Sequence, residues 1–250
     1  MLQQTQAARV VGPYARFVSQ FPTPGACASA EVGDVVRAWD GLGYNRRAVY
    51  LFRAAQRIVS LHGGAVPPRL ADLRALPGVG DYTARAVLAF SFEEDVAVVD
   101  TNVFRVVSRA VAGRPVSARE AQGLADSLVP AGSAWAHNQA MLDLGAAHCT
   151  ARPSCDDCPI RSGCAWAALG WSGPDPSRPA GARRPPPFSG SDRQGRGRLV
   201  AELRDRAVAA PELARVAGWP DDEPRARRIA ESLVADGLAR WGEESALVLA

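Results

Sequence analysis

Four cysteines fall within sixteen positions, Cys149-x5-Cys155-x2-Cys158-x5-Cys164. A chain that gathers thiols so densely must either close disulfides or wrap a metal centre. The compartment decides between the two. Met1 opens onto Leu2-Gln3-Gln4-Thr5-Gln6, without the basic stretch and apolar core of a secretory leader. No apolar run approaches the ~20 residues that cross a bilayer. The sequence therefore reads as cytoplasmic and free of membrane, where clustered thiols hold metal. Cys27, the fifth cysteine, reads as a bystander. Structural zinc usually uses two Cys-x-x-Cys knuckles, and only Cys155/Cys158 makes one here. Four thiolates can equally wrap an iron–sulfur cube, one ligand per iron. His148 adjoins Cys149 and is a further candidate ligand, although a helix-end role suits it better. A brown protein absorbing near ~400 nm is the expected signature of iron–sulfur ligation.

The bulk numbers set wide bounds. In 250 residues, 47% are hydrophobic and 22% charged, so a core forms and wholesale disorder is excluded. A net charge of +3 is a weak sign of a polyanionic partner. All 29 basic side chains are arginines; the chain holds no lysine. The abundance of Ala, Gly and Pro fits codon bias, yet the absence removes every lysine-based nucleophile.

Residues 1–98 read as a lobe of short helices. Val10, Tyr14, Phe17, Val18 and Phe21 recur at helical steps, as do Val32, Val35, Val36 and Trp39, then Val49, Phe52, Ile58 and Leu61. Residues 99–171 form a second helical lobe ending in the cysteines. Residues 172–189 are a Pro- and Arg-rich linker, expected to be extended and semi-rigid. Residues 190–250 read as a small module of their own, three helices marked by Leu199/Leu203, Leu213/Val216 and Ile229/Leu233, then a two-stranded wing around Gly242-Glu243-Glu244. Val208 extends the first of these helices on the same spacing, and the order suits a winged helix. Whether it touches DNA or only packs is left open by the sequence.

Between helical Ala71–Ala75 and Tyr82–Phe90 lies Leu76-Pro77-Gly78-Val79-Gly80. Pro77 sets a turn, and Gly78 and Gly80 are expected to allow positive φ and remove Cβ bulk. Backbone N–H groups at the next helix start then approach a phosphate, helped by the helix dipole. Such a contact positions DNA without reading its sequence. Further on, Asp100 of Val99-Asp100-Thr101-Asn102-Val103 is placed to cap a helix running through Val103, Val106, Val107 and Ala110. A carboxylate fixed at a helix start stays ionised.

Taken in order, Leu2-Gln3-Gln4-Thr5-Gln6, Gly41-Leu42-Gly43-Tyr44, Leu76-Pro77-Gly78-Val79-Gly80, Val99-Asp100-Thr101-Asn102-Val103, Asn138-Gln139-Ala140-Met141-Leu142-Asp143-Leu144-Gly145-Ala146 and the cysteines resemble the adenine-specific branch of the helix-hairpin-helix (endonuclease III) DNA glycosylases. The resemblance covers about residues 1–171. It implies an all-α, two-lobed fold with an iron–sulfur loop, followed here by the winged-helix-like module. It implies removal of adenine mispaired with 8-oxoguanine or guanine from double-stranded DNA by a monomeric, nucleoid-associated bacterial enzyme. Asp100 would stabilise the positive charge developing on the sugar, with Asn102 orienting it or the attacking water. Gln3, Gln4 and Tyr44 would wedge and fill the helix around a flipped nucleotide. Gly78, Gly80, Tyr82 and Gln139 would contact DNA. Cys149, Cys155, Cys158 and Cys164 would hold a 4Fe–4S cluster, ordering a loop that presents Arg152 and Arg161 to phosphate.

The chain departs from that family in four places. Bifunctional relatives carry a Schiff-base lysine two residues after the hairpin; Tyr82 stands there, which implies a monofunctional enzyme using water. The family's general-acid glutamate aligns two residues before Met1, so the chain as written is expected to excise adenine slowly or not at all. The first cysteine gap is one residue shorter than the family's. Finally, residues 190–250 do not look like the Nudix-like domain with which many members inspect 8-oxoguanine. A thymine glycosylase acting on G:T pairs shares Tyr82 and Asp100, and a non-catalytic mismatch-binding protein is the reading from another class.

Overall fold

The computed structural model describes residues 1–3, 5–171, 175–177 and 187–250. Gln4 and most of the expected 172–189 linker lie outside the described residues. The chain groups into two units: 1–67 with 76–78 and the C-terminal residues from 185, and 68–75 with 79–184. It leaves the first unit, builds the second, and returns.

The first unit opens with α1 (Ala7–Gln20), α2 (Pro24–Ala28), α3 (Val32–Ala38) and α4 (Arg46–His62). The Thr23 hydroxyl accepts from the Ala26 N–H at 3.1 Å to start α2, and Gly63 at φ 60° ends α4 in a left-handed cap. On α1, Val10, Phe17 and Phe21 are buried while Tyr14 and Val18 are exposed. At 100° per residue the first three share a narrow arc and the other two fall beside it, so the apolar stripe is narrower than the spacing predicts.

The second unit carries α5 (Leu70–Arg74), α6 (Asp81–Ser91), α7 (Thr101–Val106), α8 (Ala118–Leu128), α9 (Ala134–Ala147) and α10 (Ala165–Ala168). Its small core joins Ala97, Val103, Val107, Ala121 and Ala125. The spacing predicts one helix from Asp100 through Ala110; instead α7 passes into a π-helical stretch, Val107–Ala112. Ser108 supplies a cause: its hydroxyl donates to the Phe104 carbonyl at 2.8 Å, the acceptor an α-helical N–H of Ser108 would use.

The chain then adds α11 (Asp192–Leu203), α12 (Leu213–Ala217), α13 (Glu223–Ala235) and the antiparallel pair β1 (Ala239–Trp241) and β2 (Leu247–Leu249), with Ala239 opposite Leu249. Val208 makes an isolated bridge to Leu247. These residues share one apolar core with the first helices: Phe17, Val35, Val36, Trp39 and Val49 join Leu199, Leu203, Leu233, Leu238 and Leu247. At roughly 1.5–3 kcal/mol for each large apolar side chain buried, this shared core is the main stabilisation of that unit. No helix among the described residues is long and apolar enough to cross a membrane.

Candidate active site

Asp100 sits half-buried at the N-cap of α7, in extended backbone. Its Oδ1 accepts the N–H groups of Asn102 and Val103, each at 2.7 Å. Its Oδ2 accepts from Asn102 Nδ2 at 2.8 Å. Oδ1 is thereby filled and Oδ2 keeps capacity for one more partner. The Asn102 amide is itself turned by Arg105, whose Nη2 donates to Asn102 Oδ1 at 2.5 Å and to the Gly145 carbonyl at 2.9 Å, while Nε reaches the Cys149 carbonyl at 2.8 Å. Arg105 fixes which end of the amide faces the carboxylate.

The approach of α9 to α7 depends on one glycine. A Cβ at Gly145 would lie 2.7 Å from the Asn102 carbonyl oxygen, closer than packed atoms allow. Ahead of Asp100, the strand-like segment 96–98 has no sheet to join, and side chains satisfy its backbone. Buried Asn138 accepts from the Val98 N–H at 2.7 Å and donates to the Val96 carbonyl at 2.9 Å. Asp126 accepts from the Ala97 N–H at 2.9 Å and from Arg85 at 2.8 Å. Arg105, Gly145, Asn138 and Asp126 carry no site role in the sequence reading.

Tyr82 belongs to the same site. Burial, and secondarily the nearby Asp100 charge, raise its phenol pKa. It stands at the start of α6, whose N-cap is Gly80 with no side chain closing the turn. Both hairpin glycines were expected at positive φ; only Gly78 is, at 75°, and a Cβ there would meet Tyr50 Cβ at 2.6 Å. Gly80 has φ −88° and nothing within 4 Å of its Cβ position, because it serves as an open helix cap rather than as the turn. Gln139 Nε2 donates to Asp143 Oδ1 at 2.9 Å.

In the first unit, Tyr44 is exposed and left-handed at φ 47°, in a turn with Gly41 at 79° and Gly43 at 66°. Arg47 ties that turn to the N-terminal segment. Its Nη2 donates to Thr5 Oγ1 at 2.9 Å, to the Leu42 carbonyl at 3.1 Å and to the Gly43 carbonyl at 3.2 Å; its Nη1 donates to the carbonyls of Met1 at 3.0 Å and of Gln3. The guanidinium also lies 5.3 Å from the Trp39 ring and 5.5 Å from the Tyr44 ring.

The four clustered cysteines all line one shallow, open cavity, together with Arg109, His148 and Trp166. Arg109 is almost fully buried. It donates to Cys149 Sγ at 3.4 Å and to the Thr150 carbonyl at 2.7 Å, and forms a two-pronged ion pair with Asp175. That contact, set against the cost of burial, holds the Asp175 carboxyl far below its ordinary range. Among the described residues no three His, Cys, Asp or Glu side chains converge closely enough to grip a single metal ion. Arg161 is paired with Asp156 at 2.9 Å, and Cys27 is buried in the first unit's core.

A capped carboxylate, a glycine-bordered helix start and a thiol-lined cavity thus lie in one helical unit. The chain belongs to the HhH-GPD superfamily of base excision DNA repair proteins, whose model matches residues 1–131. It is 40% identical to an adenine DNA glycosylase of Mycolicibacterium smegmatis over 256 residues, covering 100% of this chain and 85% of that protein. It is 42% identical to one from Mycobacterium tuberculosis, covering 95% and 79%. The human adenine DNA glycosylase is 41% identical over 171 residues, covering 66% of this chain and 31% of that protein. Among solved structures, a thermostable thymine-DNA glycosylase superposes with a TM-score of 0.63 at 28% identity, covering 67% of this chain and 80% of that one. Endonuclease III in a non-covalent DNA complex gives 0.60 at 24% identity, covering 68% and 81%, a likeness of fold.

Proposed function

We propose that this DNA glycosylase removes adenine mispaired with 8-oxoguanine or guanine from duplex DNA, by hydrolysis of the N-glycosidic bond. The observation that carries the reading is Asp100, with one oxygen saturated by backbone N–H groups and the other still able to accept. As the glycosidic bond breaks, positive charge develops at the anomeric carbon. A carboxylate already oriented, with no reorganisation left to undergo, stabilises that charge. Asn102, locked by Arg105, holds the carboxylate and helps direct water to the opposite face. With tyrosine at position 82 and no lysine in the chain, the final nucleophile is water and the enzyme is monofunctional.

The open cap of α6 after Gly80 offers N–H groups to a phosphate. Tyr44, with Gln3, Gln4 and Gln139, engages the mispair and the space left by the extruded base. The protein acts as a monomer on the bacterial nucleoid. Cys149, Cys155, Cys158 and Cys164 hold a 4Fe–4S cluster, one thiolate per iron. Support comes from the shared cavity and from a guanidinium donating to a sulfur. Bound there, the cluster supplies a rigid knot that orders residues 149–164. Residues 190–250 form a winged-helix-like module, in which Val208 bridges to Leu247 of the wing.

The test is single-turnover base release from duplexes carrying A:8-oxoguanine, A:G or G:T, with Asp100→Asn alongside. Slow adenine release from the first two, lost altogether in the variant, is the expected result. Thymine release from G:T would favour the second reading, for which the superposed thymine-DNA glycosylase is the supporting observation. Tight mismatch binding without any release would leave a binding protein.

A further inference from the structure

The Tyr44 turn is gripped from two sides. Arg47 holds its inner carbonyls, as described above. The other grip comes from a residue about 160 positions later in the same unit. Arg204, at the end of α11, donates through Nη1 to Asp40 Oδ1 at 2.5 Å, through Nη2 to Asn45 Oδ1 at 3.0 Å, and through Nε to the Val36 carbonyl at 3.3 Å. Asp40 precedes Gly41 and Asn45 follows Tyr44, so the guanidinium spans the whole turn. The contact is reciprocated, since Arg37 Nε donates to the Arg204 carbonyl at 3.3 Å. Arg204 is 13% exposed whereas Asp40 is 69% exposed; the arginine is the fixed partner and the turn is the part being held.

The same C-terminal residues are ill suited to gripping DNA themselves. Residues 187–250 hold ten arginines against eleven Asp and Glu, and the arginines are largely occupied. Arg196 pairs with Asp236, Arg206 with Glu202 and Glu212, Arg225 and Arg228 with Asp192, and Arg227 with Glu231. The tip between β1 and β2 carries Glu243 and Glu244, which repel phosphate. Binding to a polyanion requires surplus positive charge, and none is left over here.

We infer that the C-terminal module is an intramolecular brace, and that Arg204 is a positioning residue which holds Tyr44 in its left-handed turn for insertion at the mispair. This rests on the reading of Tyr44 as a wedge. A tyrosine at positive φ is strained and stays there only while its surroundings insist. Removing the fork frees both ends of the turn and lets the ring leave its inserting geometry.

The test uses the 250-residue protein and a duplex with 2-aminopurine beside an A:8-oxoguanine pair. Fluorescence then reports unstacking without requiring chemistry. Arg204→Ala is expected to remove most of the fluorescence gain and to weaken mispair binding about tenfold, the scale of a lost charge-assisted hydrogen bond, with binding to matched duplex unchanged. Arg204→Lys, which keeps the charge but lacks the fork, should behave like Arg204→Ala. Ile229→Val, in the module's core, should lower Tm and leave the fluorescence alone. A full gain in Arg204→Ala, or an equal loss in Ile229→Val, overturns the inference. Tyr44→Ala separates the layers: an intact signal there sinks the wedge reading and the brace with it, whereas a lost signal there beside an intact one in Arg204→Ala sinks the brace alone.

Discussion

Asp100 and Tyr44 are held by opposite means. Asp100 is fixed by its own neighbours: the N–H groups two and three residues on, and the Asn102 amide. Tyr44 is held by longer reaches as well. It sits in strained backbone between Arg47, which ties the Leu42 and Gly43 carbonyls to the N-terminal segment, and Arg204, which arrives from the far end of the chain. The group assigned to bond breaking is built into a helix cap and forms whenever that helix forms. The group assigned to the mispair depends on distant parts of the chain having assembled.

The largest expected effect tests the local side. Asp100→Asn preserves a competent helix cap and removes the charge. Base release should fall on the order of 10³-fold while Tm hardly moves. A variant that still releases base at the native rate would sink the electrostatic role. Gly145→Ala comes next. Its Cβ would strike the Asn102 carbonyl, so α7 and α9 must part at a cost of about 1–3 kcal/mol. Calorimetry should show the loss and single-turnover kinetics a matching drop; a stable variant with poor kinetics would mean that the turn moved but the helices did not.

The hairpin glycines sharpen the contrast within five residues. Gly78→Ala meets both positive φ and the Tyr50 side chain and should destabilise by about 1–3 kcal/mol. Gly80→Ala enters open space at an ordinary φ, so Tm should hold while affinity for any duplex falls. Equal melting losses in the two variants would break the assignment of turn to one and phosphate cap to the other.

The smallest expected effect concerns a distant tie in the second unit, Arg109 with Asp175. The folded-state carboxyl pKa is depressed, so its stabilisation is complete above the unfolded value near ~3.9 and is lost as pH falls below it towards the folded value. Wild type should melt above Asp175→Asn by a constant margin at neutral pH, and that margin should shrink below about pH 4. A margin unchanged at pH 3 would exclude the ion pair as its source.

The same contrast governs what could be read in advance. Asp100 as a cap was legible because the pattern Asp-x-Asn before an apolar helix is a local instruction. The hairpin was legible too, although the division of labour between Gly78 and Gly80 was not, because only one of them lies over Tyr50. Arg105 and Gly145 stayed hidden: their meaning depends on α9 meeting α7, which no spacing within either helix announces. Arg47 and Arg204 were hidden twice over, being two arginines among 29 basic residues with partners at the N-terminus for the one and about 160 positions back for the other. The apolar periods of residues 190–250 marked three helices, although Val208, read with the first of them, lies past α11 in a bridge to Leu247; periodicity says which face is apolar and never what will cover it, so the core shared with Phe17 and Trp39 could not be foreseen.

Among the described residues, Trp166 is the one tryptophan in the wall of the thiol-lined cavity, with the Arg109 guanidinium 5.5 Å from its ring. An indole in that position is an internal lamp. Any visible-light chromophore lodged against those sulfurs lies within energy-transfer range and dims it, so emission compared with that of a Trp166→Phe variant gives a running gauge of occupancy during preparation, ageing or exposure to air.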